Sequence, residues 1–252
     1  MTINELGVKT YGSREEDQRR ASFAQHFRAC PIPDNEILMN LGLFVSSKNL
    51  SRILFMDQLY RQIVNVHGII IEFGTRWGQN TALFSALRGI YEPFNRHRKV
   101  VAFDTFSGFP SVAPQDGRSE IMKTGAIKVS EGYVDYLTRV MEFHEQENPV
   151  QHLRKFELRP GDATVEIERY LEEHPETIVA LAYFDFDLYE PTKKCLIAIR
   201  DRLVKGSIVA FDELNDEDAP GETVALQEVF GLNNVRLRRS PRTARTSYLV
   251  IE

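Results

Sequence analysis

Ile178-Val179-Ala180-Leu181-Ala182-Tyr183-Phe184 runs directly into Asp185-Phe186-Asp187-Leu188-Tyr189-Glu190-Pro191-Thr192, and the reading of this stretch decides the fold. An unbroken apolar run of this length reads as a strand buried on both faces of a parallel sheet. The acids mark where it emerges. A second run, residues 207–211, ends in the same way on Asp212-Glu213. In open α/β sheets ligands bind outside the carboxyl ends of such strands. Carboxylates placed there on two strands can converge on one hard cation or one polar substrate. A catalytic site is expected at that edge.

Working outward, strands and helices alternate. The pattern predicts a helix over 47–66, with Leu50, Ile53, Leu54, Met56, Leu59, Tyr60, Ile63 and Val64 at helical spacing. Strands follow at 69–73, 99–103, 155–159, 178–184 and 207–211. Helices lie between and after them at 79–91, 130–146, 163–173, 191–203 and 221–230. Two further strands, 235–239 and 247–251, form an antiparallel C-terminal pair. Successive β-α units predict an α/β, doubly wound, mostly parallel sheet. Residues 1–46 read as a separate segment, irregular or only partly helical, ahead of a single domain over 47–252. The connection 104–129, rich in Pro and Gly, is too long for a plain βα loop, and such loops are usually functional or mobile.

Bulk properties narrow the function. The chain has 252 residues, 42% of them apolar, enough for one large α/β core. A net charge of −5 gives no electrostatic reason to expect nucleic acid or an anionic membrane. The basic cluster 236–245 lies between two strands and reads as a solvated hairpin loop rather than an anion site. Cys30 and Cys195 are far apart in the chain, which fits reduced thiols in a cytoplasmic protein. No apolar signal core or membrane-length stretch is evident.

Each further motif carries two readings. Glu72-Phe73-Gly74-Thr75-Arg76-Trp77-Gly78 follows the first strand of the domain and opens a helix. Glycines there let backbone approach a ligand, and free helix N–H groups can meet an anion. The spacing is not the G-x-G-x-x-G of a nicotinamide-binding turn, and a plain tight turn reads equally well. Asp104 ends the next strand, where a carboxylate can accept from both ribose hydroxyls of an adenosine cofactor or serve a turn. Asp162, before Ala163, is either a helix N-cap or a partner of an adenine amino group. Asp185, Asp187, Asp212 and Glu213 carry the strongest signal, because burying several carboxylates together costs several kcal/mol without a cation or a proton. Asp187 is expected to turn away from Asp185 at the strand end and, in part, to cap the following helix. Trp77, beside the glycine turn, either covers a cofactor or, by default, packs in the core. The histidines show no ligand spacing, and neither a G-x-S-x-G elbow nor a P-loop is present.

Taken together, Glu-x-Gly-x-x-x-Gly (72–78), Asp-Thr-Phe-Ser-Gly-Phe-Pro (104–110), Asp-Phe-Asp-Leu-Tyr-Glu-Pro-Thr (185–192) and Phe-Asp-Glu (211–213) resemble the macrocin O-methyltransferase family over roughly residues 65–215. The resemblance implies a seven-stranded Rossmann-like sheet and S-adenosylmethionine-dependent methylation of a sugar hydroxyl on a natural-product glycoside or nucleotide sugar. It implies Mg²⁺ held by Asp185, Asp212 and Glu213, although the family's usual pair is Asp-Asp. Glu72, Gly74, Thr75 and Gly78 would hold the methionine part of the cofactor, Asp104 the ribose, and Asp162 and Ala163 the adenine end. Residues 1–46 and the long loop would form a lid and sugar pocket. Catechol-type relatives place a lysine where Leu188 stands here, so the base must come from elsewhere; an adjacent carboxylate, Asp185 the first candidate, could take the proton. The alternatives are a nicotinamide-dependent oxidoreductase on the same sheet and a catalytically silent member of the fold. A homo-oligomer, with helix 47–66 as the contact, is compatible with the sequence.

Overall fold

A computed structural model describes residues 12–252, together with the backbone of a short antiparallel pair, β1 (Thr2–Ile3) and β2 (Lys9–Thr10). The rest of the expected lid before residue 12 lies outside the described residues. The N-terminal segment is more helical than expected: α1 (Arg14–Arg28), the single turn α2 (Asp34–Ile37) and a 3₁₀ stretch, Leu38–Phe44. Ser13 caps α1 by accepting from the Glu16 N–H, and Glu15, Glu16 and Asp17 complement the helix dipole in its first turn. These local devices carry α1, which buries no residue. An apolar-periodicity reading therefore passes over it.

The domain alternates as expected: α3 (Ser47–Ile63), β3 (Ile69–Phe73), α4 (Gln79–Tyr91), β4 (Val100–Asp104), α5 (Tyr133–Gln146), β5 (Phe156–Pro160), α6 (Ala163–Glu173), β6 (Val179–Phe184), α7 (Tyr189–Arg200), β7 (Leu203–Phe211), α8 (Gly221–Phe230), β8 (Arg238–Arg239) and β9 (Ser247–Val250). The seven-stranded sheet runs β5-β4-β3-β6-β7-β9-β8, parallel through β7 and antiparallel at β9 and β8. Several boundaries moved: β7 starts at Leu203 rather than 207, β8 covers only Arg238–Arg239 of the expected 235–239, and α3 ends at Ile63 rather than 66. Helix α5 starts at Tyr133 because Gly132 takes φ +71. Helix α7 starts at Tyr189, which places Pro191 in the first turn, where its missing N–H breaks no helical bond.

The pleat sorts the core into two layers. Ile69, Ile71 and Phe73 of β3, with Ala182, Phe184, Val209 and Phe211, pack under α6, α7 and α8. Ile70, Leu181, Tyr183, Ile208 and Ala210 face α3 and α4, against Phe55, Met56, Leu59, Tyr60 and Phe84. Alternate residues of one strand thus serve opposite layers, which is why these strands read as continuous apolar runs. Each fully buried side chain of this size contributes roughly 1.5–3 kcal/mol. Among the described residues no helix is long and apolar enough to cross a membrane.

Candidate active site

The carboxyl edge of the sheet is one hydrogen-bonded ladder that continues past the strands. Gly161 N donates to Asp104 O, Gly74 N to Phe103 O, Asp185 N to Phe73 O and Asp212 N to Phe184 O, at 2.8–3.0 Å. The ladder fixes the four motifs side by side. They border a single open cavity of about 1560 Å³, lined by Gly74, Thr75, Asp104, Asp162, Ala163, Asp185, Asp187, Asp212 and Glu213. A site for one drug-sized ligand spans roughly 300–1,000 Å³, so this one has room for two reactants.

Gly74 is required where it stands. Its φ is +88, and a Cβ there would overlap the Asp185 carbonyl oxygen on the adjoining strand tip. The turn it makes leaves Thr75 Oγ1 buried without a partner on the cavity wall. Asp104 pins this turn: Oδ2 accepts from Arg76 N at 2.8 Å and Oδ1 from Phe106 N at 2.5 Å. Glu72 lies behind the turn, buried, accepting from the Thr81 hydroxyl. Burial pushes its pKa up to about 7, against bonds from Thr81 and Asn80. Neither Glu72 nor Gly78 borders the cavity. Asp162 is the N-cap of α6, accepting from Thr164 N at 2.9 Å, and it also lines the cavity beside Ala163.

Three carboxylates meet at the tips of β6 and β7. Asp185, Asp212 and Glu213 each offer an oxygen, all within 4.8 Å of one another. The Tyr183 hydroxyl donates to Asp212 Oδ1 at 2.5 Å. Two arginines flank the group. Arg52 Nη2 lies 2.7 Å from Asp185 Oδ2 and 3.1 Å from Asp212 Oδ1, and Arg245 Nη2 lies 3.0 Å from Glu213 Oε1. Glu213 Oε2 is buried with no hydrogen-bond partner. Burial, then Asp212, raises the Asp185 pKa well above the carboxylate range; burial, then Asp187, does the same for Glu213. Burial works the same way on Asp212, but Arg52 and the neighbouring donors hold it below that range. The hard-oxygen donor set and the orphaned Glu213 oxygen fit a small divalent cation.

Several expectations need correction. Asp187 neither caps α7, whose N-cap is Leu188 without a side-chain bond, nor turns away from the cluster. It lies beyond the end of β6 at φ +60, with its carboxyl beside Glu213. Trp77 is not a core residue: it is 42% exposed on the cavity wall, edge-on to Tyr133 with centroids 4.7 Å apart. The cluster 236–245 is a hairpin, as read, but Arg239, Arg242 and Arg245 face the cavity rather than bulk solvent alone. The long loop is pinned by Asp116, whose Oδ2 accepts from Ala113 N at 2.6 Å and Oδ1 from Tyr189 N at 2.5 Å.

Residues the sequence reading passed over complete the site. Glu222, fully buried at the start of α8, accepts from Phe186 N at 3.1 Å and Glu213 N at 3.2 Å, bridging the two strand tips. Arg52 had a signal: it stands on the stripe continued by Phe55, Met56, Leu59, Tyr60 and Ile63, a cation at a core-facing position. Glu222 and Asp116 had none.

A scan against protein-family models and a search of curated proteins returned no match. Solved structures do match. The crystal structure of CalS11, a calicheamicin methyltransferase, is 43% identical with a TM-score of 0.93, covering 98% of this chain and 96% of that one. An apo structure of CalS11, described as a TDP-rhamnose 3'-O-methyltransferase of calicheamicin biosynthesis, is 40% identical at TM-score 0.85, covering 98% and 99%. The chain belongs to the macrocin-type family of sugar O-methyltransferases. It is an S-adenosylmethionine-dependent O-methyltransferase, which sets aside the nicotinamide-dependent and silent alternatives. The O-methyltransferase NovP, 21% identical at TM-score 0.60 over 80% of this chain and 79% of that one, shares the fold.

Proposed function

We propose that the chain methylates a sugar hydroxyl, most simply on a nucleotide sugar, with Asp185 taking the acceptor proton and Asp185, Asp212 and Glu213 holding Mg²⁺. The carrying observation is the convergence of those carboxylates, from two strand tips, on a cavity large enough for cofactor and acceptor. When bound, the cofactor supplies an electrophilic sulfonium methyl. A divalent cation there supplies a Lewis acid that lowers the pKa of a sugar hydroxyl.

The chain's own residues supply position and a proton acceptor. The Gly74 turn and Asp104 hold the donor end, with Thr75 Oγ1 free to donate to the carboxylate of an amino acid and Trp77 to cover it. Glu72 favours the ammonium by charge. Asp162 and Ala163 border the adenine end. Asp185 then accepts the hydroxyl proton as the new C–O bond forms and the sulfonium C–S bond breaks. Tyr183 and Glu222 hold Asp212 and Glu213 in register with it.

Charge favours a nucleotide sugar over a neutral glycoside. Lys48, Arg239 and Arg242 border the same cavity as the carboxylates, and a diphosphate would find compensation there. Such an acceptor is also what CalS11, as a TDP-rhamnose 3'-O-methyltransferase, acts on. Gly12 and Arg20 border the cavity too, which supports a lid role for residues 1–46. Free Cys30 and Cys195 agree with a cytoplasmic enzyme. Exposed Leu38, Met39, Leu43 and Leu50 agree with a homo-oligomer.

Turnover of a TDP-deoxysugar panel, followed by mass spectrometry for one added methyl, tests this reading. Asp185→Asn should lower kcat by at least about 10²-fold, the scale of a lost general base. Methylation undiminished in that variant would refute the assignment.

A further inference from the structure

The acidic trio already has a cation close by, and the chain supplies it. Arg52 reaches from the second turn of α3 to Asp185 Oδ2 at 2.7 Å and to Asp212 Oδ1 at 3.1 Å, while its Nε donates to Asn80 Oδ1 at 3.1 Å. Those carboxylates are two of the three that offer oxygens within 4.8 Å of one another. Magnesium binds carboxylate oxygens at about 2.0–2.1 Å. An ion bonded to both would stand against the guanidinium, so like charges would meet at contact distance in a partly dry site. Glu213 is in a different position, since Arg245 approaches its Oε1 and leaves Oε2 open.

We propose that Arg52 is an exchangeable internal counter-cation, and that a divalent ion gains Asp185 and Asp212 only as the Arg52 head withdraws. The inference rests on the metal reading of the trio given above and adds the residue that sets its affinity. Arg52 can withdraw, because its side chain is 30% exposed and lines the cavity. In either state the two carboxylates face positive charge: one unit from the guanidinium, or two from the ion. Without metal the guanidinium spares the fold the cost of bare buried acids, and with metal that same contact is a competitor to be displaced. Metal affinity is thereby tied to α3, the helix that follows the N-terminal segment.

The probe is Mn²⁺, titrated calorimetrically into the full chain without acceptor, so that no turnover enters the readout. Arg52→Gln removes the competing charge and should lower the Mn²⁺ Kd by about tenfold or more, or about 1.4 kcal/mol. Lys48→Gln removes a cation from the same cavity that makes no ion pair with the trio, and should change the Kd by less than about twofold. Arg52→Lys keeps the charge, and should tighten binding less than Arg52→Gln does; it also serves where the glutamine variant folds poorly, its own Kd then lying below the wild-type value. Asp212→Asn reports on the metal reading itself and should abolish binding.

If Arg52→Gln binds Mn²⁺ no more tightly than wild type while Asp212→Asn does not bind it, the exchange is wrong and the metal site stands. Equal tightening by Lys48→Gln or Arg52→Lys would reduce the effect to a general field and overturn the exchange. Absence of Mn²⁺ binding in every folded variant would overturn the metal reading and this inference with it.

Discussion

Glu72→Gln should stabilise the protein at alkaline pH and weaken its hold on the cofactor. Glu72 is 1% exposed, and burial raises its pKa from 4.5 to about 7 in spite of bonds from Thr81 and Asn80. Between those values the unfolded chain has released this proton and the native chain still holds it. Stability therefore falls as pH rises from about 4.5 to about 7, and this contribution is constant above that. The shift of 7 − 4.5 = 2.5 pKa units, at about 1.4 kcal/mol each, puts the cost of the charged form on the order of 3 kcal/mol. Burial this complete leaves no solvent screening to discount. Glutamine keeps an acceptor for the Thr81 hydroxyl and never ionises. The stability difference, variant minus wild type, should thus grow by on the order of 3 kcal/mol between pH 4.5 and pH 8. Urea unfolding at both pH values isolates the effect, because every other titrating group is common to the two proteins. In a chain of this length it corresponds to roughly 6–12 °C in Tm. The same variant should lose most of its thermal stabilisation by S-adenosylhomocysteine, since the carboxylate that favours the ammonium is gone. A stability difference that stays constant with pH would refute the burial argument. Unchanged ligand stabilisation would refute the cofactor role separately.

Two further outcomes follow from contacts already described. Gly74→Ala places a Cβ at φ +88 against the Asp185 carbonyl oxygen, so it should cost more than about 2 kcal/mol, with Tm lower by at least roughly 4 °C in a thermal melt. Because the displaced backbone carries Asp185, activity should fall further than the lost stability explains. Reversing two rim charges, Arg239→Glu with Arg242→Glu, should raise KM for a TDP-sugar at least about tenfold, leave KM for S-adenosylmethionine unchanged, and flatten the salt dependence of the former. Equal KM changes for both substrates would argue against a diphosphate at that rim.

How much of this was legible in the sequence depends on the range of each interaction. The sheet could be read because its signal is local: residues 178–184 are apolar without a break, residues 69–73 are apolar but for Glu72, and each run ends in an acid or a glycine turn at the edge where ligands bind. The carboxylates Asp185 and Asp212 were found for the same reason, since two strand tips of a parallel sheet have to finish at one edge. Asp187 escaped because it lies beyond the end of β6, at φ +60, where strand alternation no longer assigns a side. That conformation is a tertiary outcome rather than a propensity of aspartate alone. Arg52 and Glu222 escaped more completely. Arg52 meets Asp185 and Asp212 across 133 and 160 residues of chain, and Glu222 reaches Phe186 across 36. No periodicity encodes such pairings. What the sequence does hold, for Arg52, is the anomaly that its pairing leaves on its own helix. A cation at the head of the stripe Phe55, Met56, Leu59, Tyr60 is as informative as an acid at a strand end, because burying it unpaired would cost several kcal/mol. Its partner must then be an acid at the sheet edge that α3 covers. The acids at that edge are the strand-tip carboxylates, so Arg52 belongs to the chemistry of the site.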